Sequence, residues 1–484
     1  MMPFAEWMPD RPDLSQASSV AKNCVWTAGR YQQLLDKAAS TSSAFSGDCL
    51  GAYSFVNVGS NAKVYAGTYN ALFELSSGGW TDASGSVYNL STNNRWEFAQ
   101  FGGDVYAATL AEPIQKQTSG TSTFADVSGA PKAACIWPLK NFLMVGDLEQ
   151  SSVAYPYRVQ WSAIGDGDDW PSPGSADAET VQSGEQDLDA QWGKVTAIRG
   201  ADYAIIFQEK AITRATYVGA PIVWQFDTID NERGCVAPGS AVQVGRLVYF
   251  WASDGIYVTD GSGESRPIGH GKVDQWLQDN MNTDYYGYVS GSHDPVRKLV
   301  FWSFRSANGT QNDRLLIYNY AENKFTYAEM SVERLFSATT AGTSLEDLDD
   351  ITTDLDALTP SLDDPRWLGG GAYFGAIYQG DLYQFTGSAL DAVIETGEAS
   401  LNSGRKAFVR AVKPICDGTL SVQVGTRKTQ ADSVTWSSAA SVQSDTGFAY
   451  FRANAFYHRV RTTITGGFTD AQGMELIARA SGAR

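Results

Sequence analysis

The stretch LVYFWASDGIYVTDG, residues 247–261, constrains the fold more than any other part of the chain. Leu247, Tyr249 and Trp251 alternate with Val248, Phe250 and Ala252, so an extended strand here is apolar on both faces. Ser253-Asp254-Gly255 then offers a tight turn, and 256–258 returns as a second strand. A sheet with one wet face cannot be built this way, because both rows of side chains need cover. A small sheet packed between two neighbouring sheets can.

Similar units recur along the chain. They are KVYAGTYNALFEL from Lys63, DVYAATL from Asp104, NFLMVGD from Asn141, DYAIIFQEKAITRATYVG from Asp202, RLVYFWASDGIYVTD from Arg246, KLVFWSF from Lys298 and AIYQGDLYQF from Ala376. Most starts lie roughly 40 to 50 residues apart, the span of four short strands and the period of a propeller blade. Two gaps are longer, 61 and 78 residues, and hold acidic insertions near 148–192 and 338–366. The expected fold is therefore all-β: a β-propeller over 51–395, with seven blades counted and six or eight within the error of that count. Residues 1–50 do not fit the repeat and read as an extended N-terminal arm. Beyond 396, RKAFVRAVKP, LSVQVGT, AYFRAN and YHRVRTTITG alternate polar and apolar, as half-exposed antiparallel strands do. Residues 396–484 are expected to form a separate β element packed on the propeller. Helical periodicity is confined to RYQQLLDKAAS (30–40) and GKVDQWLQDNM (271–281).

Charge narrows the function classes. The chain carries 54 acidic and 36 basic residues, a formal charge of -18, whereas proteins that bind nucleic acid by neutralising phosphates lean the other way. The acid is concentrated. Asp166, Asp168, Asp169, Asp177, Glu179, Glu185, Asp187 and Asp189 fall in a stretch without Lys or Arg, and so do Glu346, Asp347, Asp349, Asp350, Asp354, Asp356, Asp363 and Asp364. From Ala399 onward there are 11 basic and 5 acidic residues. An acidic body with a basic C-terminal piece points to contact between segments or subunits, with solvated loops and an ordinary positive surface as the alternative. On the first reading, Arg459 and Arg461 are candidates for a basic interface. Asp166, Asp168, Asp169, Glu346, Asp347, Asp349 and Asp350 are candidates for channel or subunit-interface carboxylates. The five cysteines are scattered without a CxxC pair, which disfavours a disulfide framework or zinc ribbon and fits synthesis in a reducing cytoplasm. No signal peptide or membrane-spanning run is apparent, so no membrane partner is expected.

Motifs for chemistry are scarce. The three histidines, His270, His293 and His458, show no metal-ligand spacing. GHGKV (269–273) fails as a phosphate loop, since Arg266 stands where Gly is needed and Val273 where Ser or Thr is needed. There is no GxSxG nucleophile elbow. GDGDDW (165–170) departs from the calcium-loop spacing and lacks its closing Glu. With 54 carboxylates, a pair able to hydrolyse glycosides proves nothing by its presence. No catalytic, cofactor or metal residue is assigned, and an enzyme is not expected.

Several phrases in order do carry a resemblance: RWEFAQFGGDVYAAT (95–109), RVQWSAIGDGDDW (158–170), ITRATYVGAPIVWQFDTID (212–230), GCVAPGSAVQVGRLVYFWASDGIYVTDG (234–261), RPIGHGKVDQW (266–276) and RLLIYNYAENKFTY (314–327). Over residues 50–395, and more weakly beyond, the chain resembles the tail hub or nozzle proteins of short-tailed bacteriophages, the packaged-DNA stabilisation proteins. The resemblance implies a propeller subunit of a homo-oligomeric ring, six copies, beneath the portal and adaptor. Such a ring continues the DNA channel, retains the packaged genome without sequence-specific binding, and mounts tail fibres, a spike or a needle. It places the protein in the virion tail, after synthesis in the bacterial host cytoplasm. It transfers no catalytic residue and implies no cofactor. An acidic channel wall would let DNA slide past rather than stick. The alternative is a tail propeller that binds or cleaves a glycan, which would bring a carboxylate pair and an aromatic platform to the propeller's centre.

Overall fold

The computed structural model describes residues 2–41, 43–56, 62–76, 79–92, 94–339 and 372–481. The opening stretch folds as its pattern requires. Leu247–Ala252 pairs antiparallel with Gly255–Thr259, and Ala252 faces Gly255 across the turn. Val248, Phe250 and Ala252 enter a core shared with Ala197, Ile205 and Phe207 of the preceding sheet. Tyr249 and Trp251 enter the opposite core with Val300, Trp302 and Phe304 of the following sheet. Both rows are covered, by different neighbours.

The same arrangement repeats around a closed circle, and the chain is a β-propeller of seven four-stranded blades. They span residues 51–82, 97–126, 132–187, 195–230, 242–267, 290–329 and 334–384. Six separate apolar clusters fill the gaps between successive blades from the first to the fifth, between the sixth and seventh, and between the seventh and first. The fifth and sixth blades share the largest cluster. Each of the seven repeated phrases contains all or part of the second strand of one blade, from Ala62–Gly67 to Ala372–Tyr378.

The first fifty residues, expected as an extended arm, instead supply five short strands that stitch the molecule together. β1 (Met2–Pro3) pairs with Ala471–Ala480. β2 (Val20–Lys22) lies between the last strand of blade 6, parallel at Lys22–Tyr327, and Ala392–Glu395, antiparallel. β3 (Cys24–Thr27) and β4 (Arg30–Gln33) form a hairpin. β5 (Ala38–Ala39) pairs with Tyr383 and Gln384 and is the fourth strand of blade 7, so that blade is built from both ends of the propeller sequence. The expected helix at 30–40 is thus wrong. Tyr31 is fully buried and donates its hydroxyl to Ala5 O at 2.8 Å, while Leu34 enters the core between blades 6 and 7. Tertiary partners override a leucine-rich window with weak propensity. The second expected helix forms as α2 (Asp274–Asn280).

The acidic stretch near 148–192 is not an insertion outside the blade. It contains part of the hairpin Phe142–Gln150/Val153–Trp161, the short helix α1 (Ala176–Val181) and the fourth strand of blade 3, Gly184–Asp187. The stretch near 338–366 falls between the first two strands of blade 7, Arg334–Thr339 and Ala372–Tyr378, and lies almost wholly outside the described residues.

The C-terminal strands make a two-sheet sandwich. One sheet holds Ala407–Cys416, Ala449–Ala455 and Ala471–Ala480 with β3, β4 and β1; the other holds Ala392–Glu395, Tyr457–Thr465 and Thr419–Arg427. Val409, Val412, Phe451 and Met474 meet Val422, Val424, Val460 and Ile464 between them. Through β2 the second sheet is hydrogen-bonded to blade 6, giving one sheet of ten strands.

Candidate functional site

Two places concentrate polar side chains in the protected interior: the propeller's central channel and the seam that joins propeller to sandwich. The first strands of all seven blades converge on a central cavity of about 310 Å³, within the size range of small-ligand sites. Its charged lining is Arg95, Glu97, Arg199 and Arg334. Arg199, on blade 4, reaches across blade 3 and donates to Glu97 of blade 2 at 2.8 Å. Its Nε donates to Ala241 O at 3.0 Å and its guanidinium covers the Trp137 ring at 4.7 Å. Arg95 donates to Thr196 O at 3.2 Å and stands 3.9 Å from the other oxygen of Glu97. Arg334, on blade 7, is 7 % exposed; one terminal nitrogen donates to Tyr288 O at 3.1 Å, and its Nε has no hydrogen-bond partner. Burial pulls its pKa below the ordinary arginine value. His293 also lines the cavity, and burial lowers its pKa.

This lining carries three arginines to one carboxylate among the described residues. The candidate carboxylates lie elsewhere. Asp166, Asp168 and Asp169 are exposed in the loop after the third strand of blade 3 and do not line the cavity. Asp168 accepts from Tyr106 Oη at 2.9 Å and pairs with Lys116, both on blade 2, and Asp166 accepts from the Asp168 amide at 2.9 Å. Asp168 thus ties blade 3 to blade 2. Glu346, Asp347, Asp349 and Asp350 lie outside the described residues. Among the described residues no group of three His, Cys, Asp or Glu side chains is placed to hold a metal ion.

The candidate basic interface is engaged within its own chain. Arg461 donates to Glu395 at 3.0 and 3.1 Å and covers the Trp436 ring at 3.9 Å. Arg459 pairs with Asp13 at 2.5 Å and approaches Glu395 at 3.6 Å. With them Arg427 makes two bonds of 2.5 Å to Glu398, whose side chain is 1 % exposed, and one of 2.8 Å to Asp13. The reason is topological. Tyr457–Thr465 pairs with both Ala392–Glu395 and Thr419–Arg427, which brings the arginines and the 395–398 carboxylates to one seam with the N-terminal segment. Arg427 and Arg459 clamp Asp13 to the sandwich, and Arg461 is paired with Glu395 of its own chain.

Sequence reading missed Arg95, Arg199 and Arg334. The repeat is registered on the second strands, where apolar density is high, and the cavity-facing first strands carry polar residues in varying number at no fixed spacing. A signal did exist: RWEF, AIRG and ERLF each place an arginine at or near the start or end of a first strand.

No family model matches the chain, and no curated protein does. Solved structures with a similar course include BBS1N, crystallised in complex with ARL6DN, at 10% identity and TM-score 0.41, covering 73% of this chain and 97% of that one. The Neurospora crassa Pan2 WD40 domain follows at 7% identity and TM-score 0.40, covering 74% and 99%. The extracellular domain of a one-component system from B. thetaiotaomicron gives 10% and 0.39, covering 88% and 59%. At these scores the fold rests on the strand pairing described above.

Proposed function

We propose that this chain is a structural protein of a bacteriophage tail. It is a subunit of a homo-oligomeric ring that extends the DNA channel below portal and adaptor, helps retain the packaged genome, and mounts the distal tail parts. The ordered phrases that resemble tail hub proteins suggest this reading. One structural observation carries it: the propeller and the sandwich are a single hydrogen-bonded body, because β2 continues blade 6 into the C-terminal sheet and β5 completes blade 7. Such a body resists hinge motion, as a part held under genome pressure must. The cavity lining adds support, since its one described carboxylate, Glu97, is held by Arg199, and no second described acid faces it as glycoside hydrolysis would need. Electron cryo-microscopy of the purified protein, alone and mixed with portal-bearing particles, tests the proposal. A ring seated below the portal is the expected result. A monomer that ignores the particles and hydrolyses surface glycan would overturn it.

A further inference from the structure

The central cavity holds a charge imbalance among the described residues. Among the described residues, no carboxylate lies within ion-pair distance of Arg334. Its sequence neighbour Glu333 is turned toward the amides of Cys49 and Gln379, which it accepts at 2.9 and 3.0 Å. Glu97 is the sole carboxylate lining the cavity among the described residues and is already engaged by Arg199 at 2.8 Å, with Arg95 at 3.9 Å. Arg334 therefore sits 7 % exposed, with Nε unpartnered and one carbonyl contact. A buried guanidinium without a counter-charge is costly, and a protein retains one where an anion supplies the missing partner. Arginine's planar fork suits an oxyanion with two or more terminal oxygens.

We infer that the propeller's central cavity is a binding site for a small dianionic oxyanion of the phosphate class, anchored by Arg334 with Arg95 and Arg199 supplying the remaining positive field. Among the described residues, three guanidiniums against one carboxylate leave a formal excess of two positive charges, which a dianion neutralises. The cavity of about 310 Å³ admits inorganic phosphate with attendant waters, or a compact phosphate ester. Seven blades contribute to its wall, so occupancy would brace all of them at once. This inference is independent of any role in a tail and stands or falls without it.

The test uses the full chain, titrated by calorimetry with inorganic phosphate, with sulfate, and with sodium chloride at matched ionic strength. Saturable one-site binding of phosphate and sulfate, absent with chloride, is expected. Arg334→Met should weaken phosphate binding by about tenfold or more. Arg95→Gln, at a partly solvated position, provides a second variant should Arg334→Met fail to fold, and should weaken binding several-fold. Glyceryl phosphate in place of phosphate separates a free ion from an ester as the preferred ligand. Crystals soaked in selenate should show anomalous density beside Arg334. Absence of saturable binding in the wild type, or equal affinity in the wild type and Arg95→Gln with selenate density outside the cavity, would overturn the inference and leave water as the occupant.

Discussion

The contact between blades 5 and 6 and the seam between propeller and sandwich share one apolar cluster, yet they are held by different physics. At the blade contact Trp251 and Trp302 lie 5.9 Å apart and Phe304 packs edge-on to Trp251. At the seam Arg427, Arg459 and Arg461 bind Asp13, Glu395 and Glu398, while Lys272 and Lys324 both reach Glu6. Apolar burial is non-directional, so a strand covered on both faces can be reused around a circle without specifying its partner. The seam must join one N-terminal segment to one place on the sandwich, and directional charged bonds restrict that choice. Seven blades need repetition; a seam needs identity.

Five substitutions sharpen the contrast. Trp302→Ala removes a fully buried ring from the blade contact and should cost about 3–5 kcal/mol in denaturant unfolding. A loss below about 1 kcal/mol would mean that the blade faces do not cover one another. Arg427→Met leaves Glu398 buried without its main partner and should cost about 3 kcal/mol. Adding Glu398→Gln should restore part of that loss, which no second substitution at the blade contact would do. Hydrogen exchange should show β2 and Ala392–Glu395 losing protection first in Arg427→Met. Equal protection throughout would deny the seam its separate character.

A smaller effect lies in pH. Asp274 on α2 is 8 % exposed, accepts the Ile256 amide at 3.1 Å and presses so closely on Gly255 and Gly269 that a Cβ at either would meet it at 2.3 and 1.9 Å. Burial pushes its pKa up to about 6, from 3.8. A carboxyl whose pKa is raised by folding favours the native state most below its unfolded pKa, and that contribution is lost as pH rises through the folded one. Wild-type stability should therefore lose about 2 kcal/mol between pH 4 and 6 through this group, and Asp274→Asn should flatten that part of the profile. An unchanged profile would show that Asp274 is already ionised at pH 4. Smallest is Arg158→Gln. It removes a two-pronged bond to Asp187, whose side chain is 46% exposed, and should cost under about 1 kcal/mol, vanishing in high salt.

What could be read from the sequence follows the same division. Second strands were legible because a middle strand of a blade is apolar on both faces, as Phe301 and Trp302 show by entering opposite cores. The strands β2 and β5, of three and two residues, carry no periodicity at all; only the edges they pair with define them. That is why residues 1–50 read as an arm and 30–40 as a helix. The seam arginines were noticed as a basic excess, but their partners at 395–398 and at residue 13 are remote in sequence, so the charges looked free. Arg199 escaped for the same reason, its counterpart Glu97 lying about 100 residues away on another blade.

The closure of blade 7 by β5 is where the circle is joined, and it can be tested with one double variant, Ala39→Cys with Tyr383→Cys. These residues face each other across the β5 pairing, so oxidation should link them, and protease digestion followed by mass spectrometry should recover the joined peptides. A chain that keeps both new thiols free and reactive under the same oxidation would contradict a propeller closed by its own N-terminal segment.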